Sequence, residues 1–277
     1  MRTSVPMRRI SVPILVALAA LLAVGVLLTS SGQAKQRSMA VKPTIVLVHG
    51  AWADSSSWDG EISRLRADGY PVVAPANPLR SLTGDATYIA SVLKTIKGPI
   101  VLVGHSYGGA VITNAATGNP NVKALVYIDA FVPTQGESVL GLAAKYPGSE
   151  LPTAITEAPY SQGNGQKGVD VYIKTADFRS VFAGDVAPAT ANLMAITQRP
   201  VTLAALSEKS GAPAWKHIPS WYLVGRQDKA IPPATQTFMA KRAHSHTVEI
   251  NASHASLVSH PAAVTKLILT AAGSVTK

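Results

Sequence analysis

The chain has 277 residues, 47% of them apolar and 14% charged, which is enough apolar material for a buried core and excludes a disordered or collagen-like chain. Cysteine is absent, so disulfides, thiolate metal sites and a cysteine nucleophile are excluded as well. Half of the formal charge of +10 sits in Arg2, Arg8, Arg9, Lys35 and Arg37, and the remaining Lys and Arg are scattered, with only Lys241 and Arg242 adjacent. A phosphate-tracking stripe needs clustered cations, so nucleic acid is not an expected partner.

Arg8 and Arg9 precede an uncharged apolar stretch from Ile10 to Leu28, followed by small residues in which Gly32 and Ala34 make a small-x-small cleavage pattern. The arrangement predicts an export signal over residues 1–37. An uncleaved anchor is the competing reading, because 19 residues approach the length that spans a bilayer, and membrane association is expected only in that case. Either way, the folded part, residues 38–277, is expected outside the cytoplasm.

From there the chain alternates. Thr44 to Val48 (TIVLV) is a continuous β-branched run of the kind buried on both faces of a sheet, and similar runs recur at 71–74, 100–103, 124–128, 221–224 and 247–250. The segments between them are long enough for helices. Asp54, Ser55 and Ser56 offer caps before Trp58, Ile62 and Leu65, and Asp68-Gly69 closes that helix. Asp85 opens a second helix carrying Ile89, Val92, Leu93 and Ile96, and Pro261 opens the last one. The pattern predicts βαβ units, right-handed crossovers and a mostly parallel sheet of about six strands. About 85 residues, 134–218, interrupt this rhythm without a strand of the core type, and their short helical patterns predict a helical lid over the carboxyl edge of the sheet. Tyr160 to Gly168 reads as a loop within it, and Tyr160, Tyr172, Phe178, Phe182 and Trp215 read mainly as the lid's own core.

The strand at 100–103 runs into Gly104-His105-Ser106-Tyr107-Gly108-Gly109 and then a helical start. Small residues at 104 and 108 permit a sharp strand-to-helix turn with Ser106 at its apex, the geometry of a nucleophile elbow. A serine hydroxyl needs a base. Of seven histidines, His254 follows the strand at 247–250 at the carboxyl edge, where open α/β sheets form sites, whereas His49 and His105 read as loop-shaping residues. An acid must then fix the imidazole tautomer. Asp228, just after the strand at 221–224, is preferred, and the rival Asp129 is assigned to the base of the lid. The amides of Ala51, in the loop after the first strand, and of Tyr107 are the expected oxyanion donors.

With TIVLVHGAW at 44–52, GHSYGG at 104–109, VGRQD at 224–228 and NASH at 251–254, the chain resembles the α/β-hydrolase superfamily over residues 42–273. Within it, the resemblance is to the small lid-bearing serine esterases similar to plant methylesterases and hydroxynitrile lyases. The lyases of that group carry threonine and lysine where this chain has Gly50 and Ala255, so the resemblance implies ester hydrolysis rather than cyanohydrin cleavage. Related dehalogenases and epoxide hydrolases carry aspartate where this chain has Ser106. The expectation is therefore an exported carboxylesterase acting on small to medium apolar esters through an acyl-enzyme, with no metal or organic cofactor. A thioesterase, amidase or cofactor-free perhydrolase on the same triad is the alternative, and a catalytically silent binding protein a more distant one.

Overall fold

Thr44–Val48 forms β1, with every side chain after Thr44 buried, and the strands on either side of it extend a single sheet in both directions. The computed structural model describes residues 41–275, except 162 and 164. The expected export segment lies outside the described residues.

A short 3-10 turn at Ser55–Trp58 leads into α1 (Asp59–Ala67), and the Asp54 carboxylate caps the turn by accepting from the Ser56 N–H at 2.8 Å. Then follow β2 (Val72–Val73), α2 (Leu82–Thr95), β3 (Ile100–His105), α3 (Tyr107–Ala115) and β4 (Val122–Ile128). Here the chain leaves the sheet for α4 (Val139–Ala143), α5 (Leu151–Ala154), β5 (Ile155–Ser161), β6 (Lys167–Ile173), α6 (Thr175–Phe182), α7 (Pro188–Thr197), β7 (Val201–Thr202) and α8 (Leu203–Ser207). It returns with β8 (Ser220–Gly225), α9 (Pro233–Arg242), β9 (His246–Ile250), α10 (Ser256–Ser259) and α11 (Pro261–Val275).

The six-stranded sheet has the order β2-β1-β3-β4-β8-β9 and is parallel throughout. Alternate residues of each central strand feed two separate cores. Val46, Leu102, Leu125 and Tyr222 face α2, α3 and α9, while Ile45, Val101, Val126 and Leu223 face α1 and α11. Helices on both faces leave the carboxyl ends of the strands as the open edge, where the loops after β1, β3, β8 and β9 gather.

Two expectations differ from the structure. The insertion is not purely helical: β5, β6 and β7 make a second, antiparallel sheet, and the predicted loop at 160–168 is the end of β5, a tight turn and the start of β6. The strand β5 was hidden because most of its residues are exposed and it contains Pro159, so it carries no apolar alternation. The helix α2 begins three residues before Asp85, because the Ser81 hydroxyl caps it by accepting from the Gly84 N–H at 2.9 Å. Among the described residues, no helix is long and apolar enough to cross a membrane.

One carboxyl strains this core. Glu61 of α1 is fully buried, and neither of its oxygens has a hydrogen-bond partner. Burial pushes it up to about 9 from an ordinary value of 4.5. The folded state therefore holds a proton that the unfolded state releases, and stability falls as pH rises from 4.5 toward 9. The variant Glu61→Met should unfold at higher denaturant than the parent at pH 8, by on the order of a few kcal/mol, with the gap closing near pH 4.5. Urea titrations at the two pH values measure it, and parallel pH dependences would contradict the assignment.

Candidate active site

The turn between β3 and α3 is the sharpest feature of the open edge. Ser106 sits there at φ 53° and ψ −124°, a left-handed backbone setting that is strained for a side-chain-bearing residue. The turn closes only because its neighbours are bare. A Cβ on Gly104 would lie 2.6 Å from the Gly108 carbonyl oxygen, and one on Gly108 would lie 2.5 Å from that of Val48. Backbone bonds fix the apex: the Ser106 N–H donates to Ile128 O at 3.2 Å, and its carbonyl accepts from Gly109 N at 2.9 Å and Phe131 N at 3.1 Å.

The loops after β8 and β9 bring Asp228 and His254 together. His254 Nδ1–H donates to Asp228 Oδ2 at 2.7 Å, with both side chains buried, which leaves Nε2 as the unprotonated nitrogen of a neutral ring. That Nε2 has no protein partner, and His254 lines the same cavity as Ser106. Asp228 also accepts from the Ala230 and Ile231 amides at 2.7 and 2.8 Å and from Gln236 Nε2 at 2.7 Å. Burial pushes its carboxyl well above the usual range, and these donors oppose the shift. Burial also lowers His254, to about 3, so the ring is neutral at neutral pH.

Asp129, the rival acid, makes no bond to His254. Its carboxylate accepts from the Ser256 hydroxyl and lies where a side chain on Gly225 would be, 2.7 Å from that missing Cβ. It thus braces the loops that carry Asp228 and His254 rather than the base of the lid, which corrects the sequence expectation. Burial and the neighbouring Asp228 push its carboxyl up, since two buried carboxylates side by side do not both ionise.

The loop after β1 packs directly on the turn. A Cβ at Gly50 would lie 2.6 Å from Ser106 Cβ, so only glycine lets this loop approach so closely. His49 shapes it: Nδ1–H donates to Gly50 O at 2.9 Å, and Nε2 accepts from Asn77 N at 2.9 Å. Ala51 and Tyr107 both line the cavity. The Ala51 N–H donates to no backbone carbonyl, and Tyr107, as the first residue of α3, has no carbonyl one turn back. Both amides are therefore free to meet a negative oxygen.

Sequence reasoning missed two supports. The Tyr107 hydroxyl donates to Asp85 at 2.8 Å, fixing the start of α3 from α2. His105 Nε2–H donates to the carbonyl of His254 at 2.9 Å, tying the histidine loop to the residue before Ser106. Both are long-range contacts with no spacing signature. Phe182 of α6 lies 4.8 Å from the His254 ring and, with Phe178, is buried in the insertion, as the sequence suggested. The other lid aromatics, Tyr160, Tyr172 and Trp215, are half-buried. Of the other histidines, His260 faces Asp185 at 3.3 Å and His246 packs on Trp221.

The cavity has a volume of about 390 Å³. Phe131, Val139, Leu151, Val171, Leu206 and Ile231 supply much of its wall, and no Lys, Arg, Asp or Glu lines it. Tyr107 turns its hydroxyl away to Asp85, and Ser149 donates to Ala230 O at 2.9 Å. Among the described residues, no cluster of His, Asp and Glu is arranged to hold a metal.

A serine on a strained strand-to-helix turn, over a parallel sheet with an insertion after its fourth strand, agrees with the sequence profile of the alpha/beta hydrolase family, which matches residues 45–267. The chain belongs to that family. It is 30% identical over 259 residues to the alpha/beta hydrolase nvfD of Aspergillus novofumigatus, covering 84% of this chain and 98% of that one. It is 28% identical over 240 residues to a pyrethroid hydrolase of Sphingobium wenxiniae, covering 78% and 83%. Its fold superposes on the crystal structure of the Arabidopsis methylesterase MES16 with a TM-score of 0.69 at 17% identity, covering 84% and 99%. The family and its named relatives make this chain a hydrolase.

The burial of His254 has a kinetic consequence. An imidazole held well below 6.5 keeps its free base through mildly acidic solution, so kcat/KM should stay near its plateau from pH 8 to about pH 5 and fall only below that. A pH–rate profile on an activated ester checks it, and an acid limb centred at or above pH 6.5 would contradict the burial argument.

Proposed function

We propose that this hydrolase is an exported serine carboxylesterase. Ser106 Oγ attacks the ester carbonyl while His254 Nε2 takes its proton, and Asp228 holds the ring and stabilises the imidazolium. The Ala51 and Tyr107 amides receive the oxyanion. The alcohol leaves with the proton that His254 returns to it, and water activated by the same nitrogen releases the acid from the acyl-enzyme. The observation that carries this reading is the unpartnered Nε2 of His254, whose Nδ1 is bonded to Asp228, in one cavity with Ser106 and two free amides.

The cavity's lining supports the substrate class. With no cation to meet a carboxylate and no carboxylate to meet an amine, desolvating a charged substrate there would go uncompensated. A volume of about 390 Å³ lies toward the smaller end of ordinary ligand sites, which supports small to medium uncharged esters. The mechanism draws on no cofactor. In the domain organisation we propose, residues 1–37 direct export, residues 38–277 form the hydrolase domain, and residues 134–218 form its lid.

The test is turnover of p-nitrophenyl esters from acetyl to palmitoyl by the protein, beside thioester and amide analogues. Short and medium esters should turn over fastest, and Ser106→Ala should lower kcat by at least about 10³-fold. A folded Ser106→Ala protein with parental turnover overturns the reading. Thioester or amide rates above ester rates would move the assignment to those substrates.

A further inference from the structure

Trp52 lines two cavities at once. It borders the catalytic cavity and also a surface groove of about 220 Å³ bounded by Asp54, by Leu193, Met194 and Thr197 of α7, and by Val258 of α10. The partition is held firmly. The Trp52 N–H donates to Arg199 O at 3.0 Å, the indole Nε1–H donates to Val171 O at 2.8 Å, and the ring stands edge-on to Phe182 at 6.3 Å. Its backbone has φ 58°, so the direction of the side chain is built into the loop. Swinging the indole aside would orphan a buried donor and acceptor, which makes this ring a wall rather than a gate.

Beyond the wall, the groove suits a chain without charge. Leu193, Met194 and Val258 are apolar, and most of the polar residues beside them bond within the protein: Asp54 accepts from the Ser56 N–H and hydroxyl at 2.8 and 2.6 Å, Ser57 donates to Asp54 O at 2.6 Å, Thr197 to Leu193 O at 2.9 Å and Gln198 to Ile173 O at 2.8 Å. On the outer side of α7, Leu193 and Ile196 are 65% and 74% exposed, so apolar surface continues out of the groove. Trp52 also directly follows Ala51, so an ester whose carbonyl oxygen meets that amide has one arm beginning beside the indole.

We infer that Trp52 is the specificity-determining stop for the substrate's chain length, and that the groove behind it is a latent subsite for the apolar end of a longer uncharged ester. The inference rests on Ser106 acting as the nucleophile of the proposed esterase. Shortening the indole joins the groove to the catalytic cavity, so an acyl or alkyl chain that is now turned back extends into it.

The experiment compares kcat/KM for p-nitrophenyl decanoate with that for the butyrate in the full chain and its variants. Taking the ratio cancels any general loss from disturbing the loop beside Ala51. In Trp52→Ala the decanoate-to-butyrate ratio should rise at least tenfold. Adding Leu193→Trp, an exposed position that refills the groove, should return it toward the parental value, while Leu193→Trp alone leaves the ratio unchanged. Trp52→Phe keeps an aromatic ring beside Phe182 and should give a smaller rise in the same direction, so it carries the test if the alanine variant does not fold. An unchanged ratio in a folded Trp52 variant, or a rise that Leu193→Trp does not reverse, overturns the inference while leaving the esterase reading intact. Absence of Ser106-dependent turnover of either ester by the parent protein overturns that reading, and this inference with it.

Discussion

The left-handed backbone at Ser106 is the constraint around which the rest of this edge of the protein is organised. A non-glycine residue held in such a setting costs on the order of 1–3 kcal/mol, and it persists only when its surroundings over-determine it. Here they do. The turn is bonded to the end of β4 and the start of α3, and the bare Cα atoms of Gly104 and Gly108 remove clashes that would forbid it. Behind it, β1, β3 and β4 are almost entirely buried, so the sheet cannot relax to relieve the strain. The return is directional: the hydroxyl is lifted to the open edge and the start of α3 is set beneath it.

Buried polarity is the second constraint. Asp228 and His254 are both fully desolvated, and such a pair is tolerable only when its remaining lone pairs and protons are satisfied. Two amides and Gln236 complete the carboxylate, while His105 fixes the backbone of the histidine. Within the pair itself, the side-chain atom left without a partner is His254 Nε2, on a residue that lines the same cavity as Ser106. Asp129 adds a second carboxyl behind the first, spent on holding Ser256 and the close approach of Gly225. The insertion is integral to the edge as well, since Val171 and Arg199 anchor Trp52 and the carbonyl of Phe182 accepts from Ala255 N at 2.9 Å.

The sheet was legible in the sequence because its central strands are buried on both faces and therefore read as unbroken β-branched runs. The positions of Ser106, Asp228 and His254 were legible for a related reason: each follows a recognisable strand at the carboxyl edge, so topology alone brings their loops together. The insertion was not. Its strands are short and exposed, and β5 contains a proline, so nothing in their periodicity separates them from loops. Asp85 read as a helix opener because a local cap and a long-range partner of Tyr107 look alike in one dimension. Asp129 follows a strand just as Asp228 does, and the fold shows which carboxyl reaches the imidazole and which reaches Ser256.

The central claim is that one serine is activated by one histidine. Peptide-level mass spectrometry of the protein after brief exposure to a fluorophosphonate tests it most directly. The account predicts a single adduct, on Ser106, forming far more slowly in the His254→Ala protein. An adduct on another residue, or an equal rate of labelling without His254, would contradict it.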